Sequence, residues 1–254
     1  MVVVHRDKQL LADDAAARLV MAIVEAQSSR GQADIVLTGG SMGSALLVSL
    51  GHSPAKDAVD WRHLNVWWSD ERFLPAGDPE RNETQSRQAL LDAVPLEPSR
   101  VHPMPASDGP DGADIDAAAA RYAAELAAAA PRGHDVPEFD VLMLGVGPDA
   151  HVASLFPEHP ALYERDASTI GVRGAPKPPP VRVSMTFPSL CAAREVWFLV
   201  SGPDKAGAVG LALSGAGQLQ APAAGVTGLL STTWLLDRDA ATDVPKQLIR
   251  LASH

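Results

Sequence analysis

Within the stretch Gly145-Val-Gly147-Pro-Asp149-Ala-His151, a carboxylate and an imidazole stand two residues apart. An imidazole ordinarily titrates near pH 6.5, so it can take a proton from water and return it to a leaving group near neutral pH. A carboxylate beside it can orient the ring or stabilise its cation. On so tight a turn the two need not touch, and Asp149 could instead bind substrate hydroxyls. The segment Thr38-Gly39-Gly40-Ser41 suits a different task. Its glycines let the backbone approach a ligand closely. N–H groups at the start of the following helix point outward, and two hydroxyls add donors, which together make a phosphate cradle. Asp70-Glu71-Arg72 supplies an acid and a planar guanidinium, and Arg72 suits a phosphate or a developing oxyanion. Glu71 reads equally as a solvated loop charge, and Asn82 reads as a helix N-cap before a substrate contact. Arg182 and Lys205 are the remaining candidate cations. Lys205 falls in the first turn of an expected helix, where the macrodipole disfavours a cation, and an anionic ligand there would account for it.

Two of these segments also fit other motifs. Gly39-Gly-Ser41-Met-Gly43 has the spacing of a serine nucleophile elbow, and Asp70 and His151 follow in the order of that triad. Only two short strands precede Ser41, however, and no HGGG-type oxyanion segment is present, so the cradle is the better reading. Gly145 to Ala150 fits the dinucleotide fingerprint. Pro157 leaves little more than one helical turn after His151, and Pro148 lacks an N–H, so the fit is formal only. The other histidines, His254 among them, show no metal-ligand spacing, and no metal or cofactor is expected.

Something must hold these residues at one edge. Apolar runs at 2–4, 35–37, 64–69, 101–104, 139–144, 195–200 and 232–236 read as strands. Helical spacing covers 10–27, 42–50, 82–93, 113–130 and 203–213. Segments 168–172 and 181–185 bracket APKPPP, whose prolines exclude helix and central strand. Strand–helix alternation predicts a Rossmann-like, doubly wound α/β fold: a mostly parallel sheet with helices on both faces. The turns after the second, third and fifth-order strands then meet at the carboxyl edge, where such sheets bind ligands. No composition shift divides the chain, so residues 1–254 read as one domain, with 174–180 a surface loop.

Bulk properties narrow the classes. The 254 residues are 46% hydrophobic and 20% charged, with a formal charge of −10, which argues against a general nucleic-acid binder. The lone Cys191 excludes an intrachain disulfide. MVVVHRDKQL lacks the apolar core of a signal peptide, and no apolar run reaches transmembrane length. A cytoplasmic protein without membrane contact is expected, and the sequence carries no signal of oligomeric state.

Taken together, LTGGSMG, VWWSDERFLPAGDPERN, FDVLMLGVGPDAHVASLFP, PKPPPVRVSMTFPSLCAAREVWFLVSG and PDKAGAV resemble the 6-phosphogluconolactonases. That resemblance implies a Rossmann-like sheet shared with the glucosamine-6-phosphate deaminases, and hydrolysis of a sugar-phosphate lactone without a cofactor. It implies His151 as the base that activates water, with Asp149 and Arg72 in catalysis. Thr38, Gly39, Gly40, Ser41, Asp70, Arg182 and Lys205 would hold phosphate or sugar. The related deaminase motif carries a glutamate five residues after its histidine, and here that position is Phe156, which cannot transfer a proton. Where the family turn has glycine this chain has Ala150, whose Cβ tolerates positive φ poorly.

Overall fold

The structure, a computed structural model, describes residues 1–251. Along the first half run β1 (Val2–His5), α1 (Lys8–Arg30), β2 (Ala33–Leu37), α2 (Gly40–His52), β3 (Leu64–Trp68), β4 (Asp70–Arg72), α3 (Asn82–Ala89) and α4 (Ile115–Ala129). The second half holds β5 (Val141–Leu144), β6 (Thr169–Val172), β7 (Arg182–Met185), α5 (Phe187–Leu190), β8 (Glu195–Val200), α6 (Ala206–Leu213), β9 (Ser231–Asp237) and β10 (Ile249–Leu251). Seven strands make one parallel sheet in the order β10-β1-β9-β8-β5-β2-β3. Every residue of β2 and of β5 is buried, as strands covered on both faces require. This accounts for their apolar sequences, broken only by Asp34, whose carboxylate accepts the Trp67 indole N–H at 3.0 Å.

Chain direction explains how the sheet is covered. From β1 to β2 and on to β3 the chain moves toward one edge, and from β3 back through β5 and β8 to β9 it moves the other way. Right-handed crossovers put the two sets of connections on opposite faces. α1 and α2 pack on each other on one face. α1 is well bounded: the Asp7 carboxylate accepts the Leu10 N–H at 3.0 Å, and Gly31 ends the helix at φ 79°.

Some local expectations need correction. Residues 70–72, read as a charged segment after the third strand, form a strand of their own. After Ser69 they form β4, which pairs antiparallel with β7, and β7 pairs antiparallel with β6 in a separate three-stranded sheet. Three-residue β4 is too short for alternation to announce it. Residues 101–104 make only a bridge between Val101 and Val66. The expected helix over 82–93 stops at Ala89, with a separate 3₁₀ turn at Leu91–Ala93. That over 203–213 begins as a 3₁₀ turn, Pro203–Lys205, so Lys205 caps α6 and does not lie in its first turn. His254 lies outside the described residues.

Candidate active site

Strands β2 and β5 are neighbours, yet their connections leave in opposite directions, β2 toward β3 and β5 toward β8. Such a switch point opens a crevice above the carboxyl ends of the two strands. A cavity of about 240 Å³ lies there, lined by the turns after both strands. The Gly145 N–H donates to the Thr38 hydroxyl at 3.2 Å and so ties the two turns together. Of the residues singled out from the sequence, Thr38, Gly39, Gly40, Asp70, Arg72 and His151 line this cavity, as do Arg182 and Lys205. Asp149 does not line it; it stands behind His151. Ser41 is exposed in the first turn of α2 and is not part of the wall.

Asp149 and His151 do touch. Oδ1 of Asp149 lies 2.5 Å from Nδ1 of His151. A carboxylate of this kind only accepts, so Nδ1 donates and Nε2 is left as the basic nitrogen of the neutral ring. Partial burial works against the Asp149 charge, but the hydrogen bond and charge of His151 outweigh it and hold the carboxyl at about 2. The turn is closed by Ala150 N–H to Gly147 carbonyl at 2.9 Å and Gly147 N–H to His151 carbonyl at 3.0 Å. A Cβ on Gly147 would collide with both the imidazole and the Asp149 carboxylate, so only glycine lets the pair fold over the turn. Ala150 holds a left-handed φ of 65° without a glycine's freedom. The alanine adopts the strained conformation, and His151 still reaches the cavity. Phe156, almost fully buried, sets its ring 4.5 Å from the His151 ring where the deaminase motif would have a carboxylate.

The opposite wall is built on the small sheet. Arg72 and Arg182 face each other directly across β4 and β7. Like charges in that position repel unless an anion lies between them. Burial pushes the Arg182 guanidinium below its usual range, with Asp70 opposing and Arg72 assisting the shift. Asp70 is buried; its Oδ2 accepts the Ser154 hydroxyl at 2.7 Å, which links β4 to the acid–base turn. Lys205 pairs with Asp204 at 3.1 Å.

Glu71 and Asn82 differ most from their sequence readings. Glu71 is 1% exposed, not solvated. Its carboxylate accepts the N–H groups of Arg72 (2.8 Å), Asn82 (2.7 Å) and Glu83 (2.9 Å), so it caps α3 from a distance. Buried Arg81 approaches Glu71 to 3.8 Å and donates to the Met104 carbonyl at 2.7 Å. Burial nevertheless pushes the Glu71 carboxyl up to about 7, against the pull of Arg81 and the three N–H donors. Asn82 is not the cap, a position taken by Arg81. Asn82 donates to the Asp70 carbonyl at 2.8 Å, lies against Gly39 where a Cβ would overlap its amide, and lines the cavity. Lys177 and Pro178 also line it and were not among the site residues drawn from sequence. The position of Arg182 just past the proline run was the one clue to them. Among the described residues no three His, Cys, Asp or Glu side chains converge as a metal ion requires, and no helix is long and apolar enough to cross a membrane.

A parallel α/β sheet with an acid–base pair and facing cations in its switch-point crevice defines a protein built to take a small anionic ligand. Comparison with known proteins sharpens the class. The family described as glucosamine-6-phosphate isomerases/6-phosphogluconolactonase matches residues 6–234. The 6-phosphogluconolactonase of Streptomyces coelicolor is 63% identical over 253 residues, 99% of this chain and 97% of that protein. The 6-phosphogluconolactonase of Mycobacterium tuberculosis is 49% identical over 239 residues, 94% of this chain and 96% of that one. Among solved structures, the 6-phosphogluconolactonase of Trypanosoma brucei superposes with a TM-score of 0.83 at 27% identity, covering 96% of this chain and 98% of that one. The chain belongs to the glucosamine-6-phosphate isomerase/6-phosphogluconolactonase family.

Proposed function

We propose that the protein hydrolyses 6-phospho-D-glucono-1,5-lactone to 6-phosphogluconate, the hydrolytic step of the oxidative pentose phosphate pathway. Full-length similarity to 6-phosphogluconolactonases supports the activity. The observation that carries the chemistry is the 2.5 Å contact between Asp149 and His151 in a cavity shared with Arg72 and Arg182. The paired arginines, Lys205 and the backbone of Thr38-Gly39-Gly40 hold the phosphate. Asp70 and Asn82, on the wall between them, meet sugar hydroxyls.

With the lactone seated, Nε2 of His151 takes a proton from water as the oxygen adds to C1. Asp149 holds the ring and stabilises the imidazolium that results. The tetrahedral oxyanion collapses, the bond from C1 to the ring oxygen breaks, and the imidazolium returns its proton to that oxygen. The acid product then ionises, releasing a proton and a carboxylate. Ring-opening deamination would need an acid where Phe156 packs, and a phenyl ring against the imidazole favours the lactonase over the deaminase.

The test generates the lactone in situ from glucose 6-phosphate and follows its loss with and without the protein. Acceleration beyond the spontaneous rate is expected. A rate equal to the protein-free control rejects the reading.

A further inference from the structure

The loop between β6 and β7 carries a cation whose place is set by an unusual anchor. Arg182, at the start of β7, donates Nε to the Pro179 carbonyl and Nη2 to the carbonyls of Lys177 and Pro178, each at 3.1 Å. Three consecutive carbonyls therefore converge on one buried guanidinium. The Ala175 N–H closes the loop onto the Pro180 carbonyl at 3.0 Å. Prolines 178 to 180 have no N–H to offer, so the carbonyls are the only main-chain groups by which that stretch can be held. The result fixes the backbone of Lys177 at the rim of the cavity that His151 also lines.

The four cations of the cavity are not equally free. Lys205 is paired with Asp204, Arg72 donates to the Glu80 carbonyl, and Arg182 is engaged by the loop. Among the described residues the Lys177 ammonium makes no hydrogen bond and no ion pair, and only its main-chain carbonyl is engaged. Its charge is nonetheless felt at Asp149, where it helps hold the carboxylate ionised. Lys177 shares the cavity wall with His151 and its charge reaches Asp149, whereas Arg72 and Arg182 pair across the small sheet.

A sugar-phosphate lactone presents two anionic ends in turn. One is the phosphate, charged throughout. The other is the carbonyl oxygen, charged only once water has added, and afterwards part of the product carboxylate. We propose that Lys177 faces this second end, stabilising the oxyanion at C1 and then the carboxylate, and that Arg182 acts as its positioning residue through the loop carbonyls. This assignment rests on the lactonase reading above. A preorganised charge aimed at an oxyanion contributes on the order of 10²–10³ in rate, and an exposed ammonium, screened by water, about tenfold to a hundredfold.

The experiment compares wild type, Lys177→Met and Lys177→Arg in the lactone assay. It also measures inhibition by 6-phosphogluconate and by glucitol 6-phosphate, which has the phosphate but no carboxylate. Lys177→Met should lower kcat about tenfold or more with KM little changed. It should weaken inhibition by 6-phosphogluconate and leave that by glucitol 6-phosphate as in wild type. Lys177→Arg should recover part of kcat. Arg182→Lys should raise KM, because Arg182 also meets the phosphate, and lower kcat, and in the Lys177→Met background its effect on kcat should be clearly smaller than in wild type. Unchanged kcat in Lys177→Met, or equal weakening of both inhibitors, overturns the role of Lys177, and an additive loss of kcat on Arg182→Lys overturns the positioning role. An inactive wild type would reject the lactonase reading itself, an outcome distinct from either.

Discussion

Asp149 and Glu71 each stand within two residues of a side chain that lines the cavity, yet their surroundings drive them apart. Burial opposes the charge of both. At Asp149, whose side chain is 36% exposed, the imidazole prevails and the carboxyl sits at about 2. At Glu71, sealed at 1% exposure, burial prevails over Arg81 and three N–H donors and the carboxyl sits at about 7. The difference teaches that hydrogen bonds alone do not set a carboxylate's state, because access to water decides how much they must overcome. The acid of the Asp149–His151 turn keeps a charge it can lend to His151. The acid of the β4 corner holds α3 and the two residues that flank it, and does no chemistry.

The largest effect should come from the turn. His151→Ala is expected to lower kcat about 10²–10⁴-fold, the usual contribution of a general base. A near wild-type rate at saturating lactone would remove the turn from the chemistry and with it the contrast. The corner should respond in stability instead. At pH 8, Arg81→Met removes the cation that helps keep Glu71 ionised and the donor to the Met104 carbonyl, so Glu71 must stay charged unpaired or take up a proton, and about 3–5 kcal/mol of folding stability should be lost in urea titration. Asp149→Asn, at a half-exposed pair, should cost less than about 1 kcal/mol by the same measurement. Equal losses would show that the two acids are not different in kind.

The pH dependence separates them further, because the signs are opposite. Asp149 is lowered in the folded chain, so its contribution is present above its ordinary value of 3.8 and is lost as pH falls through about 2. Glu71 is raised, so its contribution is full below its ordinary value of 4.5 and is lost as pH rises through about 7. Wild-type stability should therefore fall between pH 5 and pH 8 relative to Glu71→Gln, which has no proton to lose. Parallel curves for the two proteins would place Glu71 among ordinary carboxylates. A small effect of opposite sign is expected at Ala150. A left-handed alanine costs about 1–2 kcal/mol that glycine does not incur, so Ala150→Gly should raise the unfolding free energy by about 1 kcal/mol with kcat unchanged. A loss of stability would mean that the methyl group, buried at 1% exposure, packs well enough to outweigh the strain.

The two regions were also unequally legible. The parallel sheet and the acid–base turn could be read because their signals are local: an apolar run, a glycine turn, and two functional groups two residues apart. The β4 corner could not, because Glu71 meets Asn82 and Glu83 across a loop, and a charged triplet in sequence gives no sign that its middle member will be sealed. Ser41 and Asn82 were misplaced for the same reason. A glycine turn marks a cradle without saying which neighbour faces it, and a polar residue at a helix start suggests a cap whether or not a distant carboxylate already fills that role. Lys177 depended on three carbonyls turning toward Arg182, a matter of packing that no spacing encodes.

The facing arginines of β4 and β7 have a consequence for the small sheet as a mechanical unit. Two cations held opposite each other repel across that sheet, and on the proposed reading a bound dianion cross-links them. Ligand affinity and the cohesion of β4, β6 and β7 are then one free energy seen from two sides. On the proposed reading, the anion positioned for hydrolysis also fastens the strands that position it.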